Sequence, residues 1–342
     1  MERELWPRLY HLIREVGQDL RLIGVSFQPH IVLLVFFWAA LHDRPMRWAC
    51  RPRNWSTTTL RPPRLPSPST VSRRLRRVDT ALLMRALVQR LRRDQDPRLI
   101  ALIDGKPLPI GGSGHDPEAR CGRGAGMMAR GYKLYAIWAG RPAPETYRVY
   151  SMNINEDKVA EEMMPDLTGG GYLLGDGEYD ANGVFDAAGA AGYQVLAPRE
   201  DPDAGLGHTY QSPYRRRGVE LMRSSFGRAV WGLRRGIEQA FGVLTSFGGG
   251  LSSLPSWVRH LKRVWLWVSA KLVINGVRIL TRTKGLMARM KSPGSSRVRR
   301  WWSIADRGPP PSSTAAGTSG RSARPARWTL PSRSPGSSGS PA

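Results

Sequence analysis

Between residues 99 and 200 the apolar residues fall into short runs broken by Gly and Pro, and two of those runs end on an aspartate. Leu99-Ile100-Ala101-Leu102-Ile103 leads into Asp104-Gly105, and Tyr172-Leu173-Leu174 leads into Gly175-Asp176. A short, continuous apolar run of this kind suits a strand buried on both faces. Lys133–Trp138 and Thr146–Tyr150 are rich in aromatic and branched residues and are separated by Gly140, Pro142 and Pro144, which predicts a hairpin. Helices are expected over 157–167 and about 181–191, with a last strand at Tyr193–Leu196. The order β-β-β-α-β-α-β predicts an α/β fold, a mixed sheet flanked by helices, in which the two aspartate-bearing strands can lie side by side.

The flanks read as helical. Leu5, Leu9, Leu12 and Ile13 recur at helical spacing, and the run Ile31–Leu41 follows Pro29, a residue that opens helices. That run has eleven residues, whereas a bilayer span needs about 20, so a buried helix and no membrane is the expectation. A Pro-rich stretch at 61–68 reads as a linker or turn. After it, Ser69 and Thr70 open a basic helix whose Val71, Leu75, Val78 and Leu82 form one stripe. Its Arg73, Arg74, Arg76 and Arg77 could enter a DNA groove as the second helix of a helix-turn-helix-like unit. Further helices are expected over 217–247, with Val230, Leu233, Ile237, Phe241 and Leu244 on one face, and around 256–282. From 291 onward the chain is mostly Ser, Pro, Gly, Ala and Arg, too poor in large apolar residues to fold, and is expected to be disordered. The resulting division is a helical, basic, DNA-binding region at 1–98, a catalytic α/β domain at 99–285 and a disordered basic tail at 286–342.

Charge narrows the partner. The chain carries 52 Lys and Arg against 27 Asp and Glu, a net charge of +25, which calls for a polyanion, nucleic acid first. The excess is uneven. Residues 1–98 hold 19 bases and 8 acids, residues 99–200 hold 9 and 14, residues 201–290 hold 15 and 4, and residues 291–342 hold 9 and 1. An acidic segment between two basic ones is unfavourable against phosphates unless cations stand between them, which points to a metal-dependent site on a nucleic-acid-binding frame. The two cysteines, Cys50 and Cys121, have no metal-ligand spacing, so neither a disulfide framework nor a zinc site is expected. The N-terminus lacks the basic-then-apolar order of a secretory signal, and a cytoplasmic location follows as an expectation.

Asp104 and Asp176 are thus candidate metal ligands. Two carboxylates held close repel one another unless divalent cations join them, and hard oxygen donors suit Mg²⁺. A third carboxylate is needed for two ions, and Glu238 in Arg235-Gly236-Ile237-Glu238-Gln239-Ala240-Phe241 is the candidate, with Arg234 one turn before it.

Taken together, DGKPLPIGG at 104–112, DPEARCGRGAG at 116–126, GYKLYAI at 131–137, LLGDGEYDANGVFDAAGAAGYQVLAPR at 173–199 and LRRGIEQAFGVL at 233–244 resemble the DDE transposases of bacterial insertion sequences, the insertion-sequence-four-like group, over roughly residues 30–280. The resemblance implies a ribonuclease-H-like catalytic domain. It also implies Asp104, Asp176 and Glu238 as the catalytic, metal-binding triad for two Mg²⁺ or Mn²⁺ ions. The implied activity is strand cleavage at the element ends followed by strand transfer into target DNA. Double-stranded DNA, as terminal repeats and as target, is the implied partner, with a homodimer assembled on it. Arg234 would neutralise a phosphate, and Lys106 and Lys133 would contact the backbone. The group's Tyr-x₂-Arg-x₃-Glu-x₆-Lys signature keeps Arg234 and Glu238 here but has Trp231 for Tyr and Thr245 for Lys, so the hairpin step supported by those two groups in some relatives is not implied. A ribonuclease-H-like nuclease with the same triad, and a DNA-binding relic without catalysis, are the alternatives.

Overall fold

The computed structural model describes residues 2–18, 26–56, 58–93, 98–111, 115–124, 126–203, 205–206 and 209–290. The expected mixed sheet forms from β1 (Ile100–Pro109), β2 (Arg120–Gly124), β3 (Met127–Trp138), β4 (Thr146–Ser151), β5 (Gly171–Leu174) and β6 (Tyr193–Leu196). The long β3 runs antiparallel to β1 along one edge, while β2 and β4 pair with its two halves along the other. β1 then pairs parallel with β5, and β5 parallel with β6. Three antiparallel strands followed by two parallel ones, in the order β4-β3-β1-β5-β6, make up the mixed sheet. The only strand unforeseen from the sequence is β2, whose Arg120-Cys121-Gly122-Arg123-Gly124 has no apolar signal; it follows the hairpin register of β3 alone.

Side chains of β3 alternate between two cores, as a pleated strand requires. Leu134, Ala136 and Trp138 face the larger core, and Tyr135 and Ile137 the smaller one. The smaller core is covered by α6 (Glu156–Met163) and α7 (Asn182–Ala190). The larger core is shared by the sheet, the N-terminal helices and the C-terminal ones. Burial on both faces is why β1 and β3 read as continuous apolar runs.

The N-terminal helices are α1 (Glu2–Gln18), α2 (Pro29–Leu41), α3 (Met46–Ala49), α4 (Pro68–Leu75) and α5 (Val78–Arg92). Helix α2 is buried along its whole length from Val32 to Leu41, which explains its lack of an amphipathic pattern. Trp38 of α2 stacks on Trp55 with ring centroids 4.7 Å apart and meets Trp6 edge-on at 4.8 Å. All three indole N–H groups donate to backbone carbonyls, of Asn54, Ala49 and Leu60 respectively, so the cluster buries large area without stranding a donor.

The single basic helix expected after residue 69 is instead two. Ser67, not Ser69, is the N-cap, its hydroxyl accepting from Thr70 N at 3.2 Å, and Pro68 takes the first helical position. Helix α4 ends at Leu75, and Thr80 Oγ1 donates to Arg74 O across the turn. The break rephases the apolar face, so Val71 and Leu75 are buried whereas Val78 and Leu82 are 73% and 49% exposed. In α5, Leu83, Met84, Leu87, Val88 and Leu91 pack inward.

Residues 217–247, expected as one helical stretch, divide into α8 (Pro213–Arg223), α9 (Ser225–Trp231), a 3₁₀ turn at Gly232–Arg234 and α10 (Arg235–Thr245). Ser224 caps α9 by accepting from Gly227 N at 3.0 Å. The restart turns Leu233 out to solvent while Ile237, Phe241 and Leu244 stay buried. Helix α11 (Leu261–Met290) starts where Asp116 accepts from His260 N at 2.9 Å and Glu118 from Leu261 N at 2.7 Å, two acids at a helix N-terminus. Its span Leu261–Thr283 is long and apolar enough to cross a membrane, yet 78% of its most apolar window is buried within the fold.

Buried Lys271 of α11 donates to Ala40 O, Gly249 O and Asp43 Oδ1 at 2.6, 3.0 and 2.6 Å, closing the C-terminal end of α2. The segments 1–98 and 99–285 therefore share one core, and residues 1–289 form one compact unit. Helix α11 continues past 285 to Met290, and the tail expected from 291 onward lies outside the described residues.

Candidate active site

The parallel pairing of β1 with β5 matches Ile100 with Tyr172 and Leu102 with Leu174. Asp104 and Asp176 each lie two residues beyond the last matched pair. Asp104 sits within β1 and accepts from Gly105 N at 2.8 Å. Asp176 caps a 3₁₀ turn, Gly177–Tyr179, by accepting from Glu178 N at 3.2 Å.

The third expected residue arrives on α10. Gly236 lets this helix approach β1, since a Cβ there would lie 2.9 Å from Leu102 Cδ1. Trp231 donates from Nε1 to Gly175 O at 2.9 Å and so ties the preceding turn to the end of β5. Arg234 then reaches the centre of the site. Its Nη2 lies 2.9 Å from Asp176 Oδ2 and 3.8 Å from Asp104 Oδ2, and its Nη1 lies 3.7 Å from Glu238 Oε1.

The structure thus brings Asp104, Asp176, Arg234 and Glu238 together, with the guanidinium joining the three carboxylates. Glu238 is at the rim, its side chain 67% exposed. Among the described residues, no group of three or more His, Cys, Asp or Glu side chains is close enough to hold a metal ion.

Burial pushes the Asp104 carboxyl up to about 6, with Asp176 and Glu156 adding to the rise and Gly105 N and Arg234 opposing it. Burial raises Asp176 as well, against the pull of Arg234. Two oxygen donors, one within β1 and one just past β5, fit the chemistry of a hard divalent cation. Glu238 fits it as a donor type and is tied to Arg234.

Beside the aspartates lies a cleft of about 680 Å³ whose wall includes Glu156, Asp157, Glu178, Asp180 and Glu200 besides Asp104 and Asp176. Glu156 went unnoticed in the sequence because it looks like an ordinary first-turn acid of a helix. Its Oε1 accepts from Lys133 Nζ at 2.8 Å and its Oε2 from Tyr179 Oη at 2.7 Å. Lys133, expected to meet the DNA backbone, is buried and held by this carboxylate. Lys106 is half-buried, its Nζ 5.8 Å from the Phe241 ring, and burial lowers its proton affinity. Asp180, buried in the same wall, pairs with Arg215 of α8 at 2.7 Å.

The four arginines expected at a DNA groove straddle the end of α4 and the turn to α5 instead of lining one helix. Arg73, Arg76 and Arg77 are exposed. Arg74 points inward, 3.6 Å from Asp79, and its burial withdraws it from the solvent face.

No family profile and no curated protein matches the chain. Among solved structures, the chain is similar to the cryo-EM structure of a piggyBac transposase synaptic complex with hairpin DNA. The TM-score is 0.35 and the identity 10%, over 85% of this chain and 80% of that one. At that score and identity, the chemistry of the site stands on its own residues.

Proposed function

We propose that the chain is a DDE-type transposase of the insertion-sequence kind, cutting DNA at element ends and joining them to a target in a metal-dependent reaction. The observation that carries this reading is the convergence of Asp104 in β1 and Asp176 just past β5 on Arg234, with Glu238 of the same helix beside it. Asp104 and Asp176 would hold Mg²⁺ or Mn²⁺, and Glu238, tied to Arg234 at 3.7 Å, would complete the set on leaving that partner. Such ions, when bound, polarise a phosphodiester and lower the pKa of an attacking water or 3′-hydroxyl.

The chain's own groups have distinct tasks. Asp104 and Asp176 supply fixed oxygen donors on a rigid sheet. Arg234 balances their charge in the DNA-free protein. Exposed Arg73, Arg76 and Arg77 would hold duplex DNA by its backbone, and a homodimer would pair two ends. Trp231 is committed to Gly175 O, so in this chain it braces the site instead of contacting a terminal phosphate.

A second reading, a DNA-binding relic, is favoured by the exposed Glu238 and its tie to Arg234. Plasmid nicking at the element's own ends separates the two, with Mg²⁺ or Mn²⁺ against EDTA and Asp176→Ala as control. Metal-dependent nicking lost in the variant supports the transposase. Salt-sensitive binding with no nicking by either protein supports the relic.

A further inference from the structure

The two motifs that carry the aspartates, Asp104-Gly105 and Gly175-Asp176, each contain a glycine whose backbone is not left-handed. Their need for glycine is steric. A Cβ on Gly105 would lie 2.8 Å from Glu156 Oε2 and 2.8 Å from Lys133 Cδ, and a Cβ on Gly175 would lie 2.7 Å from Tyr179 Cδ2. Gly105 makes room for Glu156 and Lys133, and Gly175 for Tyr179.

Those side chains form a continuous tie. Lys133 and Tyr135 project from the same face of β3. Tyr135 Oη donates to Ile154 O at 2.7 Å, fixing the approach to α6, and Lys133 Nζ donates to Glu156 Oε1 at its first turn. Glu156 Oε2 accepts from Tyr179 Oη, and fully buried Tyr179 packs beneath the turn that displays Asp176. The tie therefore spans from the neighbour of the Asp104 strand to the Asp176 turn.

We infer that Glu156 is a positioning residue, a carboxylate that braces β3 to the 176–179 turn through Lys133 and Tyr179 and so sets the spacing of Asp104 and Asp176 for a divalent cation. This rests on the reading of those aspartates as cation ligands. Each Glu156 oxygen already accepts one donor, Lys133 Nζ or Tyr179 Oη, so the tie fixes the orientation of the carboxylate. Groups that orient metal ligands from behind typically change metal affinity about 10- to 100-fold when removed, whereas a bystander at the rim changes it little.

The test is calorimetric titration of Mn²⁺ into the full chain without DNA, with folding followed by circular dichroism. Asp176→Ala should abolish the site. Glu156→Ala should weaken Mn²⁺ binding at least about tenfold, and Tyr179→Phe, which removes one hydrogen bond and no charge, should weaken it by a smaller factor. Folded Glu156→Ala and Tyr179→Phe proteins that bind Mn²⁺ as tightly as the parent would overturn the brace while leaving the aspartates as ligands. If Glu156→Ala does not fold, Tyr179→Phe decides alone. Binding unaffected by Asp176→Ala would remove the cation reading, and the brace with it.

Discussion

Asp104 shows at the scale of one residue how a site is held against stability. Its carboxyl is raised from an ordinary 3.8 to about 6, so the folded protein binds a proton more tightly than the unfolded chain does. Stability therefore falls as pH rises from about 4 to 6, and the penalty is complete above 6. Asp104→Asn keeps an acceptor for Gly105 N and removes the charge. In EDTA it should raise unfolding free energy at pH 7 by up to about 3 kcal/mol, from roughly 1.4 kcal/mol per pH unit of displacement, with no gain below about pH 4. Urea melts across pH check this; equal stabilities at pH 7, or a gain that grows toward acid, would contradict it. Asp104 and Asp176 stood out because each follows an apolar run, although β1 continues past Asp104 to Pro109 and β5 stops two residues before Asp176. Glu156 did not, since its importance lies in Lys133 and Tyr179, each 23 residues away in sequence.

Elements were legible where one periodicity ran unbroken. α1, β1, β3 and β6 follow their apolar patterns. The misread segments are those where a hydroxyl or a tight turn resets the phase: Ser67 and Thr80 around α4, and Ser224 between α8 and α9. Such breaks keep the apolar spacing plausible on both sides, so one helix and two helices look alike until the buried face is known. Lys271 is a further case, a cation that reads as surface within α11 yet caps α2 from inside the core. Replacing it with Met leaves the Ala40 and Gly249 carbonyls and the Asp43 carboxylate without their donor. The cost should be about 3 kcal/mol, the range for removing one partner of a buried charged contact, read as a lowered midpoint in urea. The turn between α4 and α5 bears a prediction of another kind. Arg73, Arg76 and Arg77 are exposed, so changing all three to Ala should weaken duplex binding and flatten its log–log salt slope by about 3, near 0.9 per phosphate contact. An unchanged slope would move the DNA surface elsewhere.

At the scale of the whole molecule, the division into a DNA-binding region and a catalytic domain misses how the chain is packed. Helix α2 is buried on every side, and one of its walls is α11, where Phe36 meets Trp267 edge-on with centroids 6.3 Å apart. Gly276 of α11 accommodates Leu91 of α5, and Arg92 of α5 reaches Glu145 beside β4 at 3.5 Å. Lys271 then joins the C-terminal end of α2 to the loop after α10, the helix that presents Arg234 and Glu238. The N-terminal helices are thus part of the wall that holds the candidate site together. Charge segregation survives this packing because most charges stay at the surface while the apolar faces of the acidic and basic segments meet inside. It follows that residues 99–290 expressed alone should not fold cooperatively. Removing α1 to α5 exposes the apolar faces of α11 and β3 to water, takes Ala40 O and Asp43 from buried Lys271 and takes Arg92 from Glu145. A broad thermal transition and binding of a hydrophobic dye are the expected results. A sharp melt with native near-ultraviolet dichroism would instead restore the two-domain division.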